Sequence, residues 1–205
     1  MPDIYVGRQP IYNKNLSVFG YELLFRSGIK NVAAIDPFSA DGATSTTIIN
    51  TFLEIGLERL VGNRYAFINL TEQFLLEESS LPISPKQVIL EVLEDIPITA
   101  ELLEAVERLS QKGFIIALDD YIYNPAHKPL MKMVDIIKID IMQLSQLEII
   151  QHVKILREYD IKLLAEKIET IDEYEFCRKL GFDYYQGYFL SKPRIIRSKA
   201  LPTNK

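Results

Sequence analysis

The chain has 205 residues, of which 48% are hydrophobic, and this is enough to build one domain with a sizeable core. Its 28 acidic and 23 basic residues give a formal charge of −5, which argues against a nucleic-acid-binding protein, since such a protein needs a basic face. No apolar stretch approaches the ~18 residues of a membrane span and the N-terminus does not resemble a signal peptide, so we expect a cytoplasmic protein that does not bind membranes.

The first two predicted strands form an antiparallel pair. Their apolar runs are "IYVG" and "SVFGYELLF", and the linker between them includes "PIYNKN". A parallel crossover needs a dozen or more residues, so this linker is too short for one. A helix is predicted next, in "ATSTTIINTFLEIGLERL".

From Tyr65 onward, predicted strands and helices alternate. The remaining strand-like runs are "YAFINL", "QVILEVL", "FIIAL", "DIIKIDI", "KLLAE" and "FDYYQGYF". They start roughly every 24 residues, the length of one strand-plus-helix unit. The clearest helix between them is "TAELLEAVERLSQKG", with Thr99 as its cap and Gly113 as its stop. "SQLEIIQHVKILREYD" and "TIDEYEFCRKLG" repeat this scheme.

These elements predict an α/β fold. The later runs are apolar on both faces, as in a parallel sheet that helices cover. Eight or so strands alternating with helices indicate a compact TIM-like (β/α)₈ barrel with an irregular antiparallel opening. We assign residues 1–195 to the barrel and residues 196–205 to a basic tail or linker.

Nearly every predicted strand carries a polar residue, usually towards its C-terminal end. These residues are Glu22, Asn69, Glu91, the pair Asp119 and Asp120, Lys138, Glu166 and Gln186. In a barrel those strand ends converge on one mouth, so the side chains are expected to share a concave site. Five carboxylates this close need compensating positive charge, and oxygen ligands suit Mg²⁺ or Mn²⁺. Two ions bridged by the Asp pair would suit in-line displacement at phosphorus.

Each of these residues also has an ordinary structural explanation. An Asp-Asp pair after a strand is usually a turn or a helix cap, and Glu91 could simply pair with Lys138. Glu166 and Glu169 could form one solvated face. The recurrence of polar residues on successive strands favours the clustered site, because a charge inside an apolar strand is costly unless it is paired or metal-bound.

With these residues in view, the chain resembles the EAL domain family, phosphodiesterases of the bacterial second messenger cyclic di-GMP. The motifs that carry the resemblance are "YELLFR", "INLTEQFL", "LEVLED", "ALDDY", "IKID", "AEKIET" and "YYQGYFLSKP", in family order from Tyr21 to Pro193. The resemblance implies a (β/α)₈-type barrel with an antiparallel first strand. It also implies cleavage of one phosphodiester of cyclic di-GMP to linear pGpG with two Mg²⁺ or Mn²⁺ ions.

The resemblance implies a role for each metal-ligating residue. The ligands of one ion would be Glu22, Asn69, Glu91 and Asp119. Asp119 would bridge to a second ion, which Asp120 would help to hold.

The resemblance also implies roles around the reacting water and the substrate. Lys138 and Gln186 would position the attacking water, and Glu166 is a candidate base. Glu169 would support the water network, and Arg26 would contact a substrate phosphate.

The chain departs from the pattern of active family members at several places, two of which bear directly on the site. Glu94 would anchor the loop after Asp120, but that loop reads "YIYNPAHKP" where active members have a glycine-containing segment. Glycine permits backbone turns that other residues do not easily follow. Lys167 stands beside Glu166 where the family has glycine, and this long cation could occupy a metal or substrate position.

The stretches "GRQPIY", "GYELLFR" and "LLAEK" resemble a subgroup in which a divergent EAL domain precedes an HDOD domain. Members of that subgroup are generally regarded as degenerate signalling proteins. An HDOD domain is therefore the expected continuation after residue 205, or else a separate protein is the partner.

Three functions follow as hypotheses. The first is a domain that binds nucleotide, metal or a protein partner, with weak or absent hydrolysis. The second is an active metal-dependent cyclic di-GMP phosphodiesterase, and the third is a non-catalytic interaction barrel whose carboxylates pair with Lys138, Lys167 and Arg26. The altered loop and Lys167 favour the first, because misplaced groups cost large factors in rate while the metal ligands remain.

Overall fold

An antiparallel hairpin opens the chain in the computed structural model, which describes residues 3–26, 55–76, 83–94 and 96–199. Strand β1 (Asp3–Asn13) pairs with β2 (Val18–Arg26), which confirms the predicted pairing. β1 is longer than expected and runs through most of the anticipated linker. The Asn13 side chain then closes the turn by accepting hydrogen bonds from the backbone N–H groups of Asn15 and Ser17.

Eight strands close into a barrel. The parallel strands after β2 are β3 (Tyr65–Leu70), β4 (Val88–Val92), β5 (Ile115–Leu118), β6 (Ile136–Asp140), β7 (Lys162–Glu166) and β8 (Tyr184–Tyr185). Each pairs with the next in chain order, and β8 pairs with β1 in antiparallel fashion. β1 is therefore antiparallel to both of its barrel neighbours, and the predicted barrel is confirmed.

Helices connect the strands on the outside of the barrel. They are α1 (Leu57–Val61), α2 (Glu72–Leu76), α3 (Ala100–Gln111), α4 (Gln146–Leu156) and α5 (Ile171–Lys179), with short 3₁₀ helices at Pro125–His127 and Leu130–Lys132. Thr99 caps α3 as predicted, since its side chain accepts from the backbone N–H of Leu102. Most of the helix predicted at 43–60 lies outside the described residues. In the part of the chain described above, no helix is long and apolar enough to cross a bilayer.

Apolar side chains fill the lower interior of the barrel as one layer. Its buried members are Ile11, Phe67, Ile89, Ala117, Ile136 and Leu164. Gly20 completes the layer on β2, where an added Cβ would lie 2.9 Å from the Phe67 ring. A larger core lies between the strands and the helices. The two cores explain why the strands are apolar on both faces.

A ninth strand adds to the outside of β1. Strand β9 (Arg194–Lys199) pairs antiparallel with the first half of β1, and Ile196 lies opposite Val6. β8 and β9 thus share one edge of β1, and β2 occupies the other. The strand crosses the boundary expected at residue 195, and residues 200–205 lie outside the described part.

Candidate functional site

A layer of polar side chains lies directly above the apolar interior. Side chains two residues apart on a strand point to the same face. Each polar residue follows its strand's interior position by two: Glu91 follows Ile89 on β4, Lys138 follows Ile136 on β6, and Glu166 follows Leu164 on β7. The barrel floor therefore sets both the height and the direction of the site residues.

The Lys138 ammonium lies at the centre of this layer. It is completely buried, and its Nζ forms ion pairs with four carboxylates. The distances are 2.6 Å to Glu91, 2.7 Å to Asp119, 3.0 Å to Glu166 and 3.5 Å to Glu22. Glu91 and Asp119 are the closest of the four. One positive charge is therefore shared among four carboxyl groups.

The carboxyl groups around Lys138 differ in their affinity for protons. Burial raises the pKa of Glu91 to about 8, although Lys138 opposes that rise. Burial likewise raises the pKa of Glu166 well above its usual value. For Asp119, burial is outweighed by the Lys138 charge and by hydrogen bonding, so its pKa is lowered. The low pKa of Asp119 makes it the best anionic ligand of the three.

A cavity of about 420 Å³ opens above the polar layer. Asp119, Asp120 and Glu166 contribute oxygens that lie within 4.8 Å of one another, a spacing compatible with one shared cation. Glu22 and Gln186 line the opposite wall, where the Gln186 Nε2 donates to Glu22 Oε2 at 2.6 Å. The site thus combines an oxygen-rich polar layer with space for a ligand above it.

A second ammonium occupies the edge of the cavity. Lys167 follows β7, and its Nζ donates to both Asp120 oxygens at 3.0 and 3.3 Å. It also donates to Asp140, the last residue of β6, which is buried. These two carboxylates raise the pKa of Lys167 although burial opposes them, and the side chain stays charged.

Several buried oxygens near Lys138 have no hydrogen-bond donor among the described residues apart from that ammonium. They are Asn69 Oδ1, both Glu91 carboxylate oxygens and Gln186 Oε1. Asn69 and Glu91 are direct neighbours on β3 and β4. Buried oxygens without donors are costly, and a divalent cation with oxygen ligands would satisfy them. The donor set on this side of the site therefore fits Mg²⁺ or Mn²⁺.

The remaining predicted residues lie at different places in the structure. Glu169 lines the same cavity as Glu22. Glu94 is exposed after β4 and lines a separate cavity of about 190 Å³, to which Asp119 also contributes. Arg26 ends β2, but its side chain lies outside the described residues.

The loop after β5 turns without glycine. The left-handed conformation falls on Asp120 itself, at φ +38°, rather than on the residues that follow it. The backbone N–H of Tyr121 then bonds to the Lys138 carbonyl at 2.9 Å. Asn124 caps the 3₁₀ helix at Pro125–His127. Asp120 and Lys167, two non-glycine residues with positive φ, thus face each other across the cavity edge.

Two residues of the site were missed by sequence reasoning as site members. Gln9 is buried, lines the cavity and donates from Nε2 to the Ser191 carbonyl at 3.2 Å. Its register partner on β2 is Glu22, so the alternation along β1 gave a usable signal. Asp140 ends the "IKID" strand two residues after Lys138, and the same period would have found it.

Comparison with known proteins identifies relatives of the whole chain. A family model described as the EAL domain matches residues 4–193. The uncharacterized protein YuxH of Bacillus subtilis (strain 168) is 39% identical, over 98% of this chain and 50% of its own length. The cyclic di-GMP phosphodiesterase CdgJ of Vibrio cholerae is 40% identical, over 95% of this chain and 45% of its own. The chain therefore spans about half the length of these curated relatives.

Solved structures share the barrel at lower identity. A calcium and cyclic di-GMP complex of Klebsiella pneumoniae BlrP1 has a TM-score of 0.75 at 22% identity, covering 95% of this chain and 56% of that chain. The Bacillus subtilis YkuI protein, with an EAL domain in complex with substrate cyclic di-GMP and calcium, has a TM-score of 0.76 at 22% identity. It covers 92% of this chain and 54% of that chain. These similarities establish the fold.

Proposed function

The chain belongs to the EAL domain family, and from this membership we propose that it is a signalling domain that binds cyclic di-GMP and hydrolyses it slowly or not at all. The observation that carries the proposal is the Lys167 ammonium, which forms ion pairs with Asp120 and Asp140 at the cavity edge. Asp120 is thereby paired with a side chain and is not free to ligate an ion. Ligand binding needs the cavity and one bound cation, whereas turnover needs every reacting group in position.

The proposed cation is Mg²⁺ or Mn²⁺. The residues that would hold it are Glu22, Asn69, Glu91 and Asp119. When bound, a divalent cation supplies positive charge to a phosphoryl oxygen and lowers the pKa of a water molecule. The support for this assignment is the set of donor-free oxygens around Asn69 and Glu91.

The chain's own residues would orient water and carry protons. Gln186 holds Glu22 through its Nε2, which leaves its buried Oε1 able to accept from a water molecule. Lys138 would hold the same water from the polar layer, and Glu169 would support the neighbouring water molecules. Glu166 would act as the base, but burial favours its protonated form, which cannot accept another proton. This high pKa is a second reason to expect slow turnover.

The alternative function is an active cyclic di-GMP phosphodiesterase that yields linear pGpG. The observation that favours it is the 40% identity to CdgJ, whose name records that activity. All the oxygen-bearing residues of the proposed first ion site are also retained. In this case Lys167 would move aside when ions and nucleotide enter.

Nucleotide binding and turnover together test these functions. The protein is titrated calorimetrically with cyclic di-GMP in Mn²⁺, and the nucleotide recovered afterwards is analysed by chromatography. The proposal predicts saturable binding with most of the nucleotide intact, and Glu91→Gln should weaken that binding, while the exposed Glu107→Gln on α3 should not.

The other outcomes distinguish the alternatives. Rapid conversion to pGpG would establish the phosphodiesterase and refute the slow-turnover proposal. An absence of binding in the presence of Mn²⁺ would refute both and leave the protein-interaction barrel. The cytoplasmic location, and the HDOD domain or other protein expected as partner, stay predictions.

A further inference from the structure

We infer that the Lys167 ammonium is a built-in substitute for a second divalent cation, so that the site holds a single ion. The inference deepens the proposed function and rests on it only for the presence of one cation. It concerns the number of ions and not the identity of the nucleotide.

Lys167 contacts two carboxylates at the cavity edge. Its Nζ donates to both oxygens of Asp120 and to an oxygen of the buried Asp140. Asp119, Asp120 and Glu166 approach one another closely enough to share a cation at this edge. A second ion bound there would have to displace the ammonium or lie beside it, and like charges at that separation repel strongly.

The two sides of the site differ in their hydrogen-bond donors. On the β3–β4 side, Asn69 Oδ1 and Glu91 Oε2 are buried without a donor from the described residues, and Glu91 Oε1 contacts only the shared Lys138 ammonium. On the Lys167 side, Asp120 and Asp140 already accept hydrogen bonds from the ammonium. Among the described residues, the Asn69 and Glu91 oxygens that a cation could still bind therefore lie on the side that Lys167 does not contact.

Lys138 and Lys167 differ in how many carboxylates each charge serves. The single Lys138 charge is shared by the four carboxyl groups of Glu22, Glu91, Asp119 and Glu166, so three negative charges remain to be balanced when all four are ionised. Lys167 makes directed hydrogen bonds, and its backbone is left-handed at φ +60°, which a lysine adopts only against strain. The larger excess of negative charge therefore lies around Lys138, and this is where the single divalent cation would bind.

The left-handed backbone at Lys167 determines which substitutions can be made there without strain. Glycine relieves the strain at this φ, and asparagine tolerates it. Lys167→Gly and Lys167→Asn therefore remove the charge without a backbone penalty, whereas Lys167→Arg keeps the charge. Lys154→Ala on α4 is the matched control, because it removes one exposed lysine away from the cavity.

The test counts Mn²⁺ ions bound per chain, from free Mn²⁺ measured by electron paramagnetic resonance at constant pH and ionic strength without nucleotide. The wild type, Lys167→Arg and Lys154→Ala should each bind one ion. Lys167→Gly and Lys167→Asn should each bind two, and circular dichroism should show that both variants are folded.

Two ions in the wild type, none in the wild type, or one ion in both folded charge-removal variants would each overturn the inference. Because the count uses no nucleotide, its failure is distinguishable from a failure of the nucleotide proposal. A protein that binds one ion and no cyclic di-GMP would refute the function but not the count.

Discussion

At the scale of single residues, Lys138 forms four ion pairs through one buried ammonium. One fully buried ammonium pairs with the carboxylates of Glu22, Glu91, Asp119 and Glu166. Its removal leaves these groups either charged without a partner or forced to take up protons. The residue therefore stabilises the fold as well as the site.

We predict that Lys138→Met lowers the free energy of unfolding by about 3–5 kcal/mol, the usual cost of leaving a buried charge without its partner. Urea denaturation of the metal-free protein at neutral pH measures this loss. The exposed Lys154→Met on α4 is the control and should change stability by less than about 0.5 kcal/mol. Equal stability of the two variants would show that the carboxylates do not depend on Lys138.

The Glu91 carboxyl predicts a pH dependence of stability. Its pKa is raised from 4.5 to about 8 by burial in the folded protein. Between those two values the unfolded chain releases the proton while the folded protein keeps it, so stability falls as the pH rises. Below this window both states are protonated, and above it both are ionised, so the dependence ends there.

Glu91→Gln should remove this dependence, because the amide does not titrate. We therefore expect the stability of the wild type relative to Glu91→Gln to fall from pH 4.5 to pH 8, by at most about 5 kcal/mol. Urea denaturation at several pH values in chelator measures the difference, with the exposed Glu107→Gln as control. A difference that stays constant or rises through this range would contradict the assignment.

Much of the site was predictable from strand period alone. Polar residues at strand ends indicated Glu22, Glu91 and Glu166 because a charge inside an apolar run needs a partner. The structure brings these three side chains together around Lys138. What the sequence did not contain was the direction of the Lys167 side chain, which depends on the left-handed backbone at that residue.

At the scale of elements, helix α5 positions one wall of the cavity. Thr170 and Glu173 form a capping box, in which the Thr170 hydroxyl accepts from the Glu173 N–H at 3.2 Å. Glu173 Oε2 in turn accepts from the backbone N–H groups of Thr170 and Glu169. The cap therefore fixes the backbone of Glu169, which lines the cavity.

We predict that Thr170→Ala destabilises the protein by about 1 kcal/mol, because one N–H of the first turn loses its acceptor. Thr170→Ser retains the hydroxyl and should stay within a few tenths of a kcal/mol of the wild type. Thermal or urea denaturation of both variants measures the effect. If the alanine and serine variants are equally stable, the hydroxyl bond does not contribute.

Element existence was easier to predict than element ends. Caps and stops such as Thr99 and Gly113 are local signals, and they located α3 correctly. The last barrel strand is shorter than "FDYYQGYF" suggested, since β8 contains only Tyr184 and Tyr185. At Gly187 the chain passes so close to Ile168 that a Cβ would lie 2.1 Å from its carbonyl oxygen. That close approach is a long-range contact, which local sequence does not reveal.

At the scale of the whole molecule, β9 links the end of the described chain to its beginning. It pairs with β1 beyond the short region that β8 covers. Ile196 packs against the core, whereas its neighbour Ile195 is 56% exposed. The sequence did not predict β9. Its pairing requires a β1 strand that extends well beyond the two residues that pair with β8.

The two isoleucines provide a matched test of β9. Ile196→Ala should lower the free energy of unfolding by about 1–2 kcal/mol, less than a fully buried isoleucine because the side chain is partly exposed. Ile195→Ala should cost less than about 0.5 kcal/mol. Urea denaturation of both variants measures the difference, and equal losses would show that β9 does not pack on the barrel as described.

The polar layer above the barrel floor is proposed to hold a single divalent cation and one cyclic di-GMP. A crystal structure of the protein grown with Mn²⁺ and cyclic di-GMP tests it most directly. We predict an intact nucleotide in the cavity, one Mn²⁺ bound by Glu22, Asn69, Glu91 and Asp119, and Lys167 still paired with Asp120. A second Mn²⁺ at Asp120 with Lys167 displaced, or cyclic di-GMP bound outside this cavity, would contradict the account.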